Sequence, residues 1–227
     1  WGGGGIAPPL ERLPTKMTET PAPASLALSV LDLVPVRTAQ SSAQAIAASM
    51  RLAEAADELG YTRYWFAEHH NMPSVASTTP PVLVAAASAR TARIRVGSGG
   101  VMLPNHSPLV VAEQFAALEA LAPDRIDLGI GRAPGSDPVI SQLLRMSGTT
   151  SDVERFPSHI TDILSLVSPE GATVRFASGG EYGVHATPAA AGAPQVWLLG
   201  SSDYSAQLAA HLGLPYVFAN RFSGGGL

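Results

Sequence analysis

Between residues 26 and 219 the chain alternates short, β-rich apolar runs with longer stretches whose apolar residues recur at helical spacing. Residues 26–36 are apolar and rich in β-branched side chains. Residues 41–59 follow with Ile46, Met50 and Ala53 at helical intervals and close at Gly60. The same pattern predicts strands over residues 64–67, 94–102, 125–131, 196–199 and 216–219. It predicts helices over residues 80–90, Pro108–Leu121 and Asp203–Leu212, the second burying Val111, Phe115 and Leu118. Pro138–Arg145 and residues 153–167 also read as helical, whereas residues 168–194 are rich in Gly, Ala and Pro and predict no regular element. Alternation of this kind demands a parallel sheet with right-handed crossovers. Two α/β architectures satisfy it, a doubly wound sheet and a (β/α)₈ barrel.

The positions of the polar residues choose between them. Asp32, Glu68-His69-His70, Asn105-His106, Arg132, Ser201-Ser202 and Asn220 all fall at or just beyond the C-terminal end of a predicted strand. In a TIM barrel those ends form one face, which carries the active site. A doubly wound sheet would concentrate its site at a switch point after the first strand, and the turn around Pro35-Val36-Arg37-Thr38 has no glycine-rich phosphate loop. The pattern therefore predicts a TIM barrel with about six of its eight strands present. Residues 1–24, with four consecutive glycines, read as a flexible N-terminal tail before a domain spanning residues 25–227. Met17-Thr-Glu-Thr resembles a natural start, which would make residues 1–16 an upstream extension.

Composition narrows the chemistry. Fourteen basic residues against eighteen acidic ones, with no basic cluster, argue against nucleic acid as a partner. The absence of cysteine excludes disulfides, cysteine-ligated zinc and a cysteine nucleophile. Apolar stretches are interrupted before 18 residues, and no basic end precedes an apolar run, so the chain reads as a soluble, cytoplasmic protein without a signal peptide.

Four clusters carry candidate chemistry. His69 and His70 follow the second strand, and strand alternation lets only one of them face the barrel mouth. That residue could serve as a general acid or base, as a metal ligand or as a hydrogen-bonded structural histidine, although no His-x-His spacing supports a metal. Gly97, Gly99 and Gly100 inside the third strand imply a bulge or the close approach of a flat ligand, with a tight barrel corner as the alternative. Gly129-Ile-Gly-Arg132-Ala-Pro134 fails the dinucleotide fingerprint at Pro134; Arg132 could instead hold a phosphate or form a surface ion pair. Gly200-Ser201-Ser202-Asp203-Tyr204-Ser205 opens a helix, where free N–H groups could bind phosphate or where Ser202 or Asp203 could simply cap.

Together the segments Tyr64-Trp-Phe-Ala-Glu-His-His70, Ile94-Arg-Val-Gly-Ser-Gly-Gly-Val-Met-Leu-Pro104, Arg125-Ile-Asp-Leu-Gly-Ile-Gly-Arg132, Val196-Trp-Leu-Leu-Gly-Ser-Ser202 and Gly213-Leu-Pro-Tyr-Val-Phe218 resemble the bacterial luciferase-like flavin monooxygenases. Order and spacing agree over about residues 26–222. The resemblance implies a catalytic role for His69 near the flavin ring. It also implies a non-proline cis peptide at Gly99-Gly100, beside Ser98, packed against the isoalloxazine. Arg132, Ser202 and Ser205, with Gly200 and Ser201 in the same loop, match the positions that hold the flavin phosphate. Residues 147–195 match a variable insertion expected to cover the substrate, and the family barrel continues beyond Leu227 with two more strands.

The implied activity is oxygenation of a small organic substrate with dioxygen and reduced FMN supplied by a separate flavin reductase. A deazaflavin-dependent hydride transfer on the same fold and a non-catalytic flavin-binding protein are the alternatives. A homodimer through helices near the second and third strands is expected by analogy. The reactive cysteine of luciferase itself is absent, so light emission is not implied.

Overall fold

The computed structural model describes residues 26–133, 135, 137–145 and 153–220; the expected N-terminal tail lies outside them. Its strands in chain order are β1 (Ser29–Asp32), β2 (Arg63–Phe66), β3 (Arg95–Met102), β4 (Ile126–Gly131), β5 (Ala172–Arg175), β6 (Glu181–Val184), β7 (Gln195–Gly200) and β8 (Tyr216–Phe218). The helices are α1 (Ser42–Glu58), α2 (Pro80–Ser88), α3 (Pro108–Leu121), α4 (Pro138–Arg145), α5 (Phe156–Leu166) and α6 (Asp203–Leu212). Six strands form one parallel sheet in the order β1-β2-β3-β4-β7-β8, as the β/α alternation demands.

Local signals set the helix ends. The Ser41 hydroxyl accepts from the Gln44 N–H at 3.2 Å while the Gln44 side chain accepts from the Ser41 N–H at 2.8 Å, a reciprocal capping box for α1. Proline opens α2 and α3, where a missing N–H costs nothing. Gly213, at φ 66°, closes α6 in the left-handed conformation.

Each long strand is two-sided. Tyr64, Phe66, Val96, Ile126, Leu128, Ile130, Val196 and Leu198 face the helices and form the main core with Met50, Val84, Val111 and Phe115. The alternate residues Arg63, Trp65, Arg95, Asp127, Gln195 and Trp197 meet one another on the opposite face. The Trp65 and Trp197 rings touch edge to face at 5.6 Å although β3 and β4 separate their strands. A flat sheet would hold those strands about 14 Å apart. The sheet is therefore curled into a half-barrel, with its polar face inside.

Two expectations change. The first strand ends at Asp32 rather than at residue 36. The Asp32 carboxylate accepts the Val34 N–H at 2.7 Å, Val34 turns to φ 51°, and the Tyr64 hydroxyl donates to the other Asp32 oxygen at 2.5 Å. Residues 168–194 contain a regular element after all, the antiparallel β5–β6 hairpin turned at Gly179. The hairpin follows the end of α5, and its Ala172 and Val184 pack against a cluster of Leu166 and Ala186 with Ala112 and Ala116 of α3. Gly192 then sits against Glu119 near the end of α3, at the N-terminal end of the sheet. Within the stretch between β4 and β7, α4 follows the C-terminal end of β4.

Candidate functional site

Parallel register places the residues following β2, β3, β4 and β7 along one rim. After β2, Glu68 is buried, and its Oε1 lies 2.7 Å from Nε2 of both His70 and His106. Its Oε2 accepts the Met102 N–H at 2.8 Å. Burial by itself would raise this carboxyl. The bonds to His106 and His70, the His106 charge and the Met102 N–H outweigh it and bring the pKa down to about 2, so Glu68 is ionised at neutral pH. The histidine doublet thus divides. His70 is committed to Glu68, whereas half-buried His69 is tied through its own N–H to the Ser77 carbonyl at 2.9 Å. Among the described residues, no group of three His, Asp or Glu side chains could hold a metal ion.

Beside this cluster, the Gly99-Gly100 peptide of β3 is cis, and the pairing of β3 with β4 shifts register between Gly99 and Val101. The bulge reading of the glycine run is therefore the structural one. A Cβ at Gly99 would stand 2.7 Å from Leu31 Cδ1, and one at Gly100 2.7 Å from the Gly129 carbonyl. At Gly131 the only neighbour within 4 Å among the described residues would be the Val101 carbonyl at 3.8 Å. This upper part of the concave wall is thus closely packed at Gly99 and Gly100, where Leu31, Trp65 and Leu199 all approach within 3.1 Å of where a Cβ would stand. Ser98 does not belong to it: fully buried, its hydroxyl donates to the Gly129 carbonyl at 2.9 Å, which staples β3 to β4.

The next corner joins the end of β4 to the β7–α6 loop. The Arg132 guanidinium lies over the Tyr204 ring, 4.3 Å from its centroid. No described carboxylate pairs with it, so the ion-pair alternative fails among the described residues. Ser202 is the N-cap of α6 in extended conformation, yet its side chain makes no capping hydrogen bond. The hydroxyl of exposed Ser202 is therefore not spent on the helix, and Ser201 beside it is exposed as well. Ser205 is buried beneath Gly200, where a Cβ would come within 2.7 Å of the Ser205 hydroxyl oxygen. The Tyr216 hydroxyl and the Ala219 N–H both donate to the Gly200 carbonyl, at 2.6 and 2.9 Å, and fix the loop. A helix N-terminus, an arginine and unspent serine hydroxyls converge here, a donor set suited to a phosphate.

The structure brings Arg132, Gly200, Ser201, Ser202 and Ser205 together and sets Gly99, Gly100 and His69 along the same rim. Three participants were not readable as such. Glu68 stood inside a recognised motif but had no assigned partner, because its second histidine comes from a different crossover. Tyr204 meets Arg132 across 72 positions of sequence, and no local pattern announces that stack. On the lower part of the concave face, Asp127 binds Arg63, Trp65 and Arg95, three partners drawn from two other strands.

Comparison with known proteins agrees with this geometry. A luciferase-like monooxygenase of Escherichia coli strain K12 is 46% identical over 201 residues, covering 88% of this chain and 57% of its own length. The crystal structure of apo-MsnO8 superposes with a TM-score of 0.77 at 40% identity, over 87% of this chain and 56% of the other. The oxygenating constituent of 3,6-diketocamphane monooxygenase of Pseudomonas putida, solved in complex with FMN, shares the fold. Its TM-score is 0.68 at 20% identity, over 85% of this chain and 56% of that one. The chain thus spans somewhat more than half the length of these relatives. The family model for luciferase-like monooxygenases matches residues 27–224, and the chain belongs to that family.

Proposed function

We propose that this chain forms the flavin-binding part of a monooxygenase that uses reduced FMN and dioxygen to oxygenate a small organic substrate. The observation that carries the reading is the corner at Arg132: a guanidinium held on Tyr204 beside an α6 N-terminus whose N-cap serine does not cap. In this reading Arg132, Ser201, Ser202 and the first N–H groups of α6 hold the terminal phosphate. Ser205 supports the loop from below. The glycine backbone around Gly99, Gly100 and Gly131, bordered by Leu31, Trp65 and Leu199, receives the ring system. Bound reduced flavin supplies the electrons that activate dioxygen. His69, at the same rim, holds or delivers a proton beside the ring, while Glu68 keeps His70 and His106 in place behind it. A separate reductase delivers the reduced flavin.

The test is anaerobic loading of the full-length protein with reduced FMN, followed by ¹⁸O-labelled dioxygen and a panel of small organic substrates. The expected result is one labelled oxygen atom in a product. Turnover that proceeds without oxygen and only with a deazaflavin would overturn the reading.

A further inference from the structure

Resting on the phosphate reading above, the structure assigns a further role, which we infer as follows: Tyr204 is a positioning residue that holds Arg132 for a phosphate monoester, and thereby sets the preference for a phosphorylated flavin over an unphosphorylated one. A helix N-terminus attracts anions through its free N–H groups and dipole, but the first turn of α6 carries the Asp203 carboxylate, which opposes a second anion. Arg132 is the cation at this corner that offsets it, provided the guanidinium is kept there. An arginine side chain is long and freely rotating, and fixing it costs conformational entropy at the moment of binding.

Tyr204 removes that cost in advance. It is the second residue of α6, directly behind Ser202 and Asp203, so a guanidinium stacked on its ring is placed beside the helix terminus. Stacking uses the face of the guanidinium and leaves its in-plane N–H donors for the two oxygens of a phosphate edge. The platform itself is rigid: the Tyr216 hydroxyl and Ala219 N–H hold the Gly200 carbonyl, and Ser205 fills the space beneath Gly200. The ring rather than the phenol hydroxyl does the holding. Arg132 lies 4.3 Å from its centroid.

The experiment compares FMN with riboflavin, which lacks only the phosphate, by fluorescence titration of the full-length protein and its variants. Tyr204 is partly exposed, so its replacement leaves the fold intact, which circular dichroism checks. Wild type binds FMN more tightly than riboflavin. Tyr204→Ala weakens FMN about fivefold and leaves riboflavin unchanged, while Tyr204→Phe, which keeps the ring, behaves as wild type. Added to Arg132→Ala, the Tyr204→Ala change has no further effect, because its partner is already gone. The inference is overturned if Tyr204→Ala costs as much in the Arg132→Ala background, if it weakens riboflavin equally, or if Tyr204→Phe fails to rescue. A wild type that binds riboflavin as tightly as FMN fails differently: it removes the phosphate reading itself, and this role with it.

Discussion

At the N-terminal end of the concave face, Asp127 is fully buried and accepts from Arg63 at 3.0 Å, Trp65 at 3.0 Å and Arg95 at 2.8 Å. Arg63 also lies over Trp197, 4.6 Å from its ring centroid, and Arg95 donates to the Ile126 carbonyl at 2.9 Å. At the C-terminal end, Arg132 has an aromatic ring and no described carboxylate, and Ser202 occupies a cap position without capping. The two ends use the same residue types in opposite ways. Arginine at the floor spends its donors on neighbouring strands and fills the barrel; arginine at the rim stacks on a ring and pairs with no described carboxylate. Glycine follows the same division. A Cβ at Gly97 would stand 2.2 Å from the Asp127 carbonyl oxygen and 2.7 Å from its Cβ, so this glycine makes room for the neighbouring strand. At Gly131, by contrast, a Cβ would meet among the described residues no more than an ordinary contact with the Val101 carbonyl at 3.8 Å. The lesson agrees with the general division of barrels into a stabilising floor and a reactive mouth.

The sharpest way to break this comparison is at Asp127. Asp127→Asn leaves two arginines facing one another without their carboxylate and should cost about 3 kcal/mol in urea unfolding, while the ratio of FMN to riboflavin affinity stays unchanged. A shift in that ratio would join the floor to the site. Gly129→Ala, whose Cβ would collide with the Ser98 carbonyl, should destabilise by about 2–3 kcal/mol. Gly131→Ala, with open space above it, should stay within about 0.5 kcal/mol of wild type in the same measurement.

Glu68 tests the rim for structural rather than ligand-directed charge. Its folded pKa lies at about 2, below the ordinary carboxylate value, so its stabilising contribution is complete above about pH 4.5 and is lost as pH falls toward 2. Glu68→Gln should remove about 2 kcal/mol near neutral pH. It should also flatten this part of the acid limb when stability is followed from pH 6 to pH 2. The smallest effect on stability belongs to Arg132→Ala. Unfolding should move by less than about 0.5 kcal/mol, whereas FMN affinity falls about thirtyfold, the worth of a lost charge-assisted contact. Equal loss in both measurements would place Arg132 with the floor residues.

Much of this molecule is legible along the chain because its elements are built from neighbours. The capping box at Ser41 and Gln44, the prolines opening α2 and α3 and the glycine closing α6 are local, and each marks a boundary where the structure has one. Strand order follows from β/α alternation, since right-handed crossovers leave few topologies. The missed hairpin was readable too: Val174-Arg175-Phe176 and Glu181-Tyr182 flank Ser178-Gly179-Gly180, a turn signal hidden by the surrounding Gly, Ala and Pro. The shortening of β1 was less so, because an aspartate that turns the chain beside it and one that continues the strand look alike in isolation.

The sequence by itself determined the parallel α/β frame and, through five ordered segments, the family. Those properties depend on period, boundary and order, which are one-dimensional. Only the tertiary structure decided what each charged residue does. Arg63 and Arg95 became floor because curling of the sheet brings Asp127 to them. Ser98 became a staple because its side chain is enclosed between strands, and His70 was withdrawn from the doublet by a carboxylate shared with His106. Arg132 kept its donors because the residue it meets is Tyr204. An electrostatic interaction depends on the distance between groups and on what else is near them, and when the chain folds those quantities are set by contacts between residues tens of positions apart.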